Sequence, residues 1–174
     1  IQGVPGFSFI IANIEKLQAS KGNARSLSLD LYDQWRVMEK DGGKWRFTSP
    51  THVVAAFHRA IAELKAEGGI ACRHTRYAQC NKMLRDGMKD LGFDAYIDVA
   101  HQGPIITTFF YPTNAHFTFA GMYDYLKSNG YVIYPGKLTE RDTFRLGNIG
   151  EIYEEDVKRV LAIFKAYLDE VNHA

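Results

Sequence analysis

Asp142-Thr143-Phe144-Arg145-Leu146-Gly147-Asn148-Ile149-Gly150 is the stretch whose reading sets the architecture. A strand over Thr143–Leu146 puts Phe144 and Leu146 on one face and Arg145 on the other, because side chains alternate along a strand. Gly147 and Gly150 then allow a ligand or another backbone to approach closely. A helix from Ile152 to Val171 follows, with Val157, Val160, Leu161, Ile163, Phe164, Tyr167 and Leu168 as its core face. Working backwards, Tyr131–Tyr134 reads as a strand, Thr118 to Ser128 as a helix, and Ile105–Phe110 and Phe93–Val99 as strands. The order β–β–α–β–β–α predicts an α/β chain whose C-terminal part is a small α+β domain, a small mixed sheet covered on one face by helices.

Two long helices precede that sheet. Ser49 reads as an N-cap and Pro50 as the first helical residue. Val53, Val54, Phe57, Ile61 and Leu64 recur at helical spacing until Gly68-Gly69 forces a turn. A second helix runs from about Ile70 to Leu91, with Gly92 in the position that commonly closes a helix. Earlier still, Phe7–Ala12 reads as a buried strand, Asn13–Leu17 as a helical turn, Ser26–Leu29 as extended and Asp33–Lys40 as a short helix. Ile1 opens directly into a Gly/Pro turn and an apolar run, so the chain reads as the C-terminal part of something longer.

The composition narrows the function. Of 174 residues, 46% are hydrophobic and 24% charged, which is ordinary globular usage. The formal charge of +1 lacks the basic footprint of a nucleic-acid binder. No apolar run is long enough to span a bilayer, so no membrane partner is expected. Cys72 and Cys80 make no disulfide framework, and they read as buried helix residues. None of His52, His58, His74, His101, His116 and His173 stands at metal-ligand spacing, so no metal is expected. The setting these features predict is reduced, soluble and cytoplasmic.

Two places could carry chemistry. In Trp45-Arg46-Phe47-Thr48-Ser49-Pro50-Thr51, hydroxyls flank the free N–H groups of a helix start, an arrangement that favours a phosphate. The competing reading is a serine that only caps its own helix. Arg145, held on a strand, suits a carboxylate or phosphonate because its planar fork makes paired hydrogen bonds. Its competing reading is an ordinary surface ion pair. Arg73, His74, Arg76 and Tyr77 read as a basic cluster on a solvated helix face with some ion pairing.

At this point several stretches together become specific. Ile1–Phe7, Tyr32–Trp35, Lys44–His52, Pro104–Thr107, Val132–Lys137 and Phe144–Glu151 resemble the C-terminal half of the 2-aminoethylphosphonate–pyruvate transaminase family. These are pyridoxal 5'-phosphate enzymes of the class V aminotransferase group on the fold-type I scaffold. The resemblance implies transfer of an amino group from 2-aminoethylphosphonate to pyruvate, giving phosphonoacetaldehyde and alanine, in a homodimer. It implies that Thr48, with Ser49 beside it, reaches the cofactor phosphate of the neighbouring subunit. Arg145 would bind the phosphonate in one half-reaction and the carboxylate in the other. The family's Schiff-base lysine falls two residues before Ile1, so no catalytic residue is expected within these 174, and the isolated chain should be inactive.

The same resemblance implies that residues 1–50 end the large domain with its last strands, that 51–92 are connecting helices, and that 93–174 form the small domain. Two other readings stay open. One is a sister class V aminotransferase using alanine or serine with glyoxylate or pyruvate. The other is a non-catalytic α+β binding or dimerisation module.

Overall fold

The computed structural model describes residues 1–113, 116–138 and 141–172. The chain forms two compact units, one of Ile1 and Gly3–Glu63, the other of Gln2 and Leu64–Ala174. In the first, α1 (Ile14–Ala19) and α2 (Leu31–Lys40) start at side-chain caps. Asn13 Oδ1 accepts from the Lys16 N–H at 3.1 Å, and Asp30 Oδ1 from the Asp33 N–H at 3.0 Å. These caps satisfy donors that a helix start leaves without partners. Helix α3 (Thr51–Ala66) follows. Phe7 packs edge-on against Trp45 and Phe57, and Arg46 pairs with Asp33 at 3.1 Å while donating to the Leu27 carbonyl.

The first unit holds little core of its own. Neither α1 nor α2 contains a buried residue, and Ile11 is 91% exposed. The expected strand over Phe7–Ala12 is not formed: this apolar run makes no backbone ladder with any described residue, and a strand exists only through its ladder. Nor is Ser26–Leu29 extended. Ser28 and Leu29 form a turn, with the Ser26 and Ser28 hydroxyls 3.1 Å apart and Asp30 capping the helix beyond.

The second unit is built on α4 (Gly69–Asp90), β1 (Ile106–Phe110), α5 (Phe119–Ser128), β2 (Tyr134–Leu138), β3 (Arg141–Gly147) and α6 (Glu154–Asn172). The sheet order is β1-β3-β2. Both pairings are antiparallel, so the sheet is antiparallel rather than mixed. On one face Phe109 stands opposite Phe144 and Thr107 opposite Leu146. Leu84 and Met88 from α4, Met122 and Leu126 from α5, and Val157 and Phe164 from α6 close over them. Phe93 meets Phe144 and Phe164 edge-to-face at 5.5 and 5.7 Å, within the favoured range for aromatic pairs.

Two expected strands fail for one shared reason. Helix α4 ends with the Gly92 N–H on the Lys89 carbonyl and the Phe93 N–H on the Met88 carbonyl, both at 2.9 Å. Helix α5 ends the same way, Gly130 bonding Lys127 and Tyr131 bonding Leu126. Each is a two-bond helix stop around a glycine of positive φ. Each uses the aromatic residue from which a strand was expected to start. After Phe93 only Ala95 bridges to Phe109, and Val99–His101 is a 3₁₀ turn capped by Asp98. After Tyr131 the strand is delayed to Tyr134. Pro135 is tolerated there because β2 is an edge strand.

Candidate functional site

Register places Arg145. Thr108 of β1 and Tyr134 of β2 are its direct cross-strand partners, so the three share the face of the sheet away from the core. The Arg145 side chain is exposed and makes no ion pair or hydrogen bond among the described residues. It lines a cavity of about 800 Å³ together with Ile106, Tyr134, Gly147, Ile149 and Glu151. A guanidinium on a rigid strand, committed to no carboxylate and opening into an apolar-walled cavity, is a ready anion receptor.

The segment after Arg145 is held by side chains from α4. Asn148 is only 1% exposed. Its amide nitrogen donates to the Tyr77 carbonyl at 3.0 Å and to the Pro104 carbonyl at 2.9 Å. Its side-chain oxygen accepts from Asn81 at 3.0 Å, and Asn81 also donates to Thr107. Arg85 in turn donates to the Asn81 oxygen, so every polar atom of the Asn81–Asn148 pair is satisfied. Two residues further on, Arg76 donates to the carbonyls of Gly150 and Ile152, each at 2.8 Å, and the Tyr77 hydroxyl accepts from the Gly150 N–H.

Arg73 and Arg76 are ion-paired as expected, but they are not solvated. Arg73 is 6% exposed and pairs with Glu67 at 2.6 Å, while Arg76 pairs with the same carboxylate at 2.7 Å. Their shared partner lies just ahead of α4, off its periodic face, so helical spacing could not reveal it. The hydrogen bond from Arg76 leads the effects that hold the Glu67 carboxyl below its usual range. Folding therefore favours its ionised form. That increment is complete above the ordinary carboxylate pKa of about 4.3 and drains as pH falls through the lowered folded value. Glu67→Gln is expected to flatten the melting-temperature profile below about pH 5. An acid limb identical to that of the unsubstituted chain would show that the pairs add no stability.

In the first unit, Thr48 and Ser49 stand together immediately before α3. Helix α3 begins at Thr51, and the Val54 N–H bonds the Pro50 carbonyl, so Pro50 rather than Ser49 is the residue at which the helix opens. The Thr48 and Ser49 hydroxyls have no partner among the described residues. Ser49 lines a shallow depression of about 470 Å³ with Trp45, Thr51, Val54 and His58. Uncommitted hydroxyls at the positive end of a 16-residue helix are suited to a phosphate group. No three metal-ligating side chains gather among the described residues, and His173 lies outside them. Cys80 is buried, with its thiol pushed up by desolvation, whereas Cys72 is exposed rather than buried as expected.

No protein-family model matches the chain. It is 56% identical over 161 residues to a 2-aminoethylphosphonate–pyruvate transaminase of Bacillus mycoides (strain KBAB4), covering 92% of this chain and 44% of the relative. The chain is homologous to the aminoethylphosphonate transaminases. A bifunctional phosphonoacetaldehyde hydrolase/aminoethylphosphonate transaminase of Clostridioides difficile (strain 630) is 54% identical over 97% of this chain and 27% of its own length. The chain thus spans less than half the length of these transaminases.

Solved aminotransferases share the fold. The ureidoglycine–glyoxylate aminotransferase of Bacillus subtilis superposes with a TM-score of 0.73 at 21% identity, covering 91% of this chain and 41% of the other. The alanine–glyoxylate aminotransferase of Nostoc sp. gives 0.71 at 19%, covering 89% and 41%. The likeness to these two is one of fold. Among the described residues no helix is long and apolar enough to cross a membrane.

Sequence reasoning singled out Arg145, Thr48 and Ser49 as candidates, and it did not single out the hydrogen-bonded roles of Asn81, Asn148 and Arg76. A lone asparagine in Gly-Asn-Ile-Gly reads as turn chemistry. Nothing local marks it as buried against α4.

Proposed function

We propose that this chain is the substrate-anion-binding part of a pyridoxal-phosphate transaminase. The whole enzyme passes the amino group of 2-aminoethylphosphonate to pyruvate in the cytoplasm, giving phosphonoacetaldehyde and alanine. The single observation that carries the reading is Arg145, exposed in a cavity and uncommitted among the described residues, on a chain 56% identical to such transaminases.

The cofactor's part is to accept the amino group from one substrate and hand it to the other. The donor chemistry of this chain fits its phosphate: the Thr48 and Ser49 hydroxyls and the N-terminus of α3 would hold it, contributed across the interface of a homodimer. The Schiff-base lysine is supplied from outside these residues. Arg145 binds and orients each substrate by its anionic end, phosphonate or carboxylate in turn, and so lets one site serve both half-reactions. Ile106 and Ile149 border the cavity, half-exposed, and would strengthen that ion pair to the extent that a bound substrate covers them. Residues 1–50 would complete the large domain, 51–92 connect, and 93–174 form the small domain.

The test is an absorbance titration of the complete protein carrying this chain. The visible band of bound pyridoxal phosphate is expected to fall on adding 2-aminoethylphosphonate and to return on adding pyruvate. Conversion by alanine or serine but not by the phosphonate would instead identify a sister aminotransferase. Absence of any cofactor band would leave a binding or dimerisation module.

A further inference from the structure

We propose that Tyr134 is the residue that tells phosphonate from carboxylate, its hydroxyl donating to the third phosphonate oxygen. The inference rests on the transaminase reading above and concerns the same cavity.

It begins with a count of acceptors. A carboxylate has two oxygens in one plane, and the guanidinium fork satisfies both. A phosphonate is tetrahedral and has three. Bound to the same fork, it presents one further charged oxygen that has left water, and such an atom is costly without a donor. A site that takes both anions through Arg145 therefore needs one more donor, idle with pyruvate and used with the phosphonate.

The structure leaves few donors at that place. Asn148 lines the cavity, but both hydrogens of its amide are spent on the Tyr77 and Pro104 carbonyls. Glu151 and Asp156 also line it, and both are acceptors: Glu151 takes the Tyr153 hydroxyl and Asp156 the Tyr153 N–H. Their charge would oppose an anion. Gly147, Ile149 and Val132 bring no side-chain donor, and the Tyr131 hydroxyl donates to the Asp156 carbonyl at 3.4 Å. Tyr134 is the direct register partner of Arg145 and lines the same cavity. It is 72% exposed, and its hydroxyl has no partner among the described residues. Directly opposed residues on antiparallel strands place their Cβ atoms about 4.5–5.5 Å apart on one face. Tyrosine and arginine are of similar reach, so one bound anion can be reached by the polar ends of both. Thr108 flanks Arg145 on the other side but is half-buried, and it does not line the cavity.

The experiment uses the complete transaminase carrying this chain, as Tyr134→Phe and, separately, Thr108→Val. Each half-reaction is followed alone, with 2-aminoethylphosphonate and with pyruvate. Tyr134→Phe is expected to lower kcat/KM for the phosphonate by about tenfold or more, the scale of one hydrogen bond to a charged group. Pyruvate should stay within about twofold and cofactor binding should be unchanged, since the fork already satisfies a carboxylate. Equal losses with both substrates, or no loss with the phosphonate, would overturn the assignment. A selective loss in Thr108→Val and not in Tyr134→Phe would move the third contact to the other strand and also overturn it. If the unsubstituted enzyme fails to convert the phosphonate at all, the transaminase reading itself falls, a failure visible before any variant is compared.

Discussion

Arg145→Ala in the complete transaminase is expected to lower kcat/KM by about 10²–10⁴-fold for both substrates. Two charge-assisted hydrogen bonds, each contributing about 1.5–3 kcal/mol, are lost from a cavity that holds no substitute cation. Among the described residues that line it, Arg145 is the one lysine or arginine. The loss should fall chiefly on KM, because the anionic end of each substrate is held in the same way before and during reaction. Cofactor binding should survive, since the fork makes no contact within its own unit that the fold depends on. Arg145→Lys should recover only part of the activity, because an ammonium keeps the charge and loses the fork. The measurement is half-reaction kinetics with each substrate. Unchanged constants would remove Arg145 from the site.

Asn148→Ala should act through stability instead. The substitution removes an amide that is hydrogen-bonded at both ends and leaves the Pro104 carbonyl and one Asn81 donor position without partners inside the protein. At about 1–3 kcal/mol for each stranded group, a loss of roughly 3 kcal/mol is expected. In a chain of this size that amounts to a melting-temperature drop of roughly 6–12 °C. Asn148→Asp is nearly isosteric yet should be worse near neutral pH, because it turns an acceptor toward two carbonyl oxygens. Thermal unfolding followed by circular dichroism is the check. An alanine variant that melts within about 2 °C of the unsubstituted chain would mean that water satisfies these groups readily.

The helices were legible because their signals are local. Gly68-Gly69 and Gly92 stop, and the apolar face of α6 repeats at the expected period, whereas the Asp30 cap was not read and α2 begins two residues earlier than expected. The central strand was legible too: Phe144 and Leu146 are buried and Arg145 is not, as alternation requires. The failures concern groups whose partners lie elsewhere in the chain. Phe93 and Tyr131 look like strand residues, but each is tied back into the helix before it, a geometry that depends on the glycine and the aromatic together. Phe7–Ala12 has the composition of a strand and no described strand to join. Arg73 and Arg76 look like a wet basic face until Glu67 folds in beside them. At Thr48 and Ser49 the helix start was legible, though the residue opening it was misplaced by one position.

The asparagine clamp also sets a mechanical tolerance. Asn81 lies twelve residues along α4 from Gly69, about 18 Å at the rise of an α-helix. A binding group must be held within about 0.5 Å of its working position. Because Asn81 and Tyr77 anchor the segment that follows Arg145, a tilt of α4 about its glycine end by roughly 1.6° already moves that anchor by the whole of this allowance. The accuracy with which the anion is gripped is thus an angular property of a helix that supplies no charge to it, and the ion pairs of Glu67 with Arg73 and Arg76 lie toward the pivot where that angle is set.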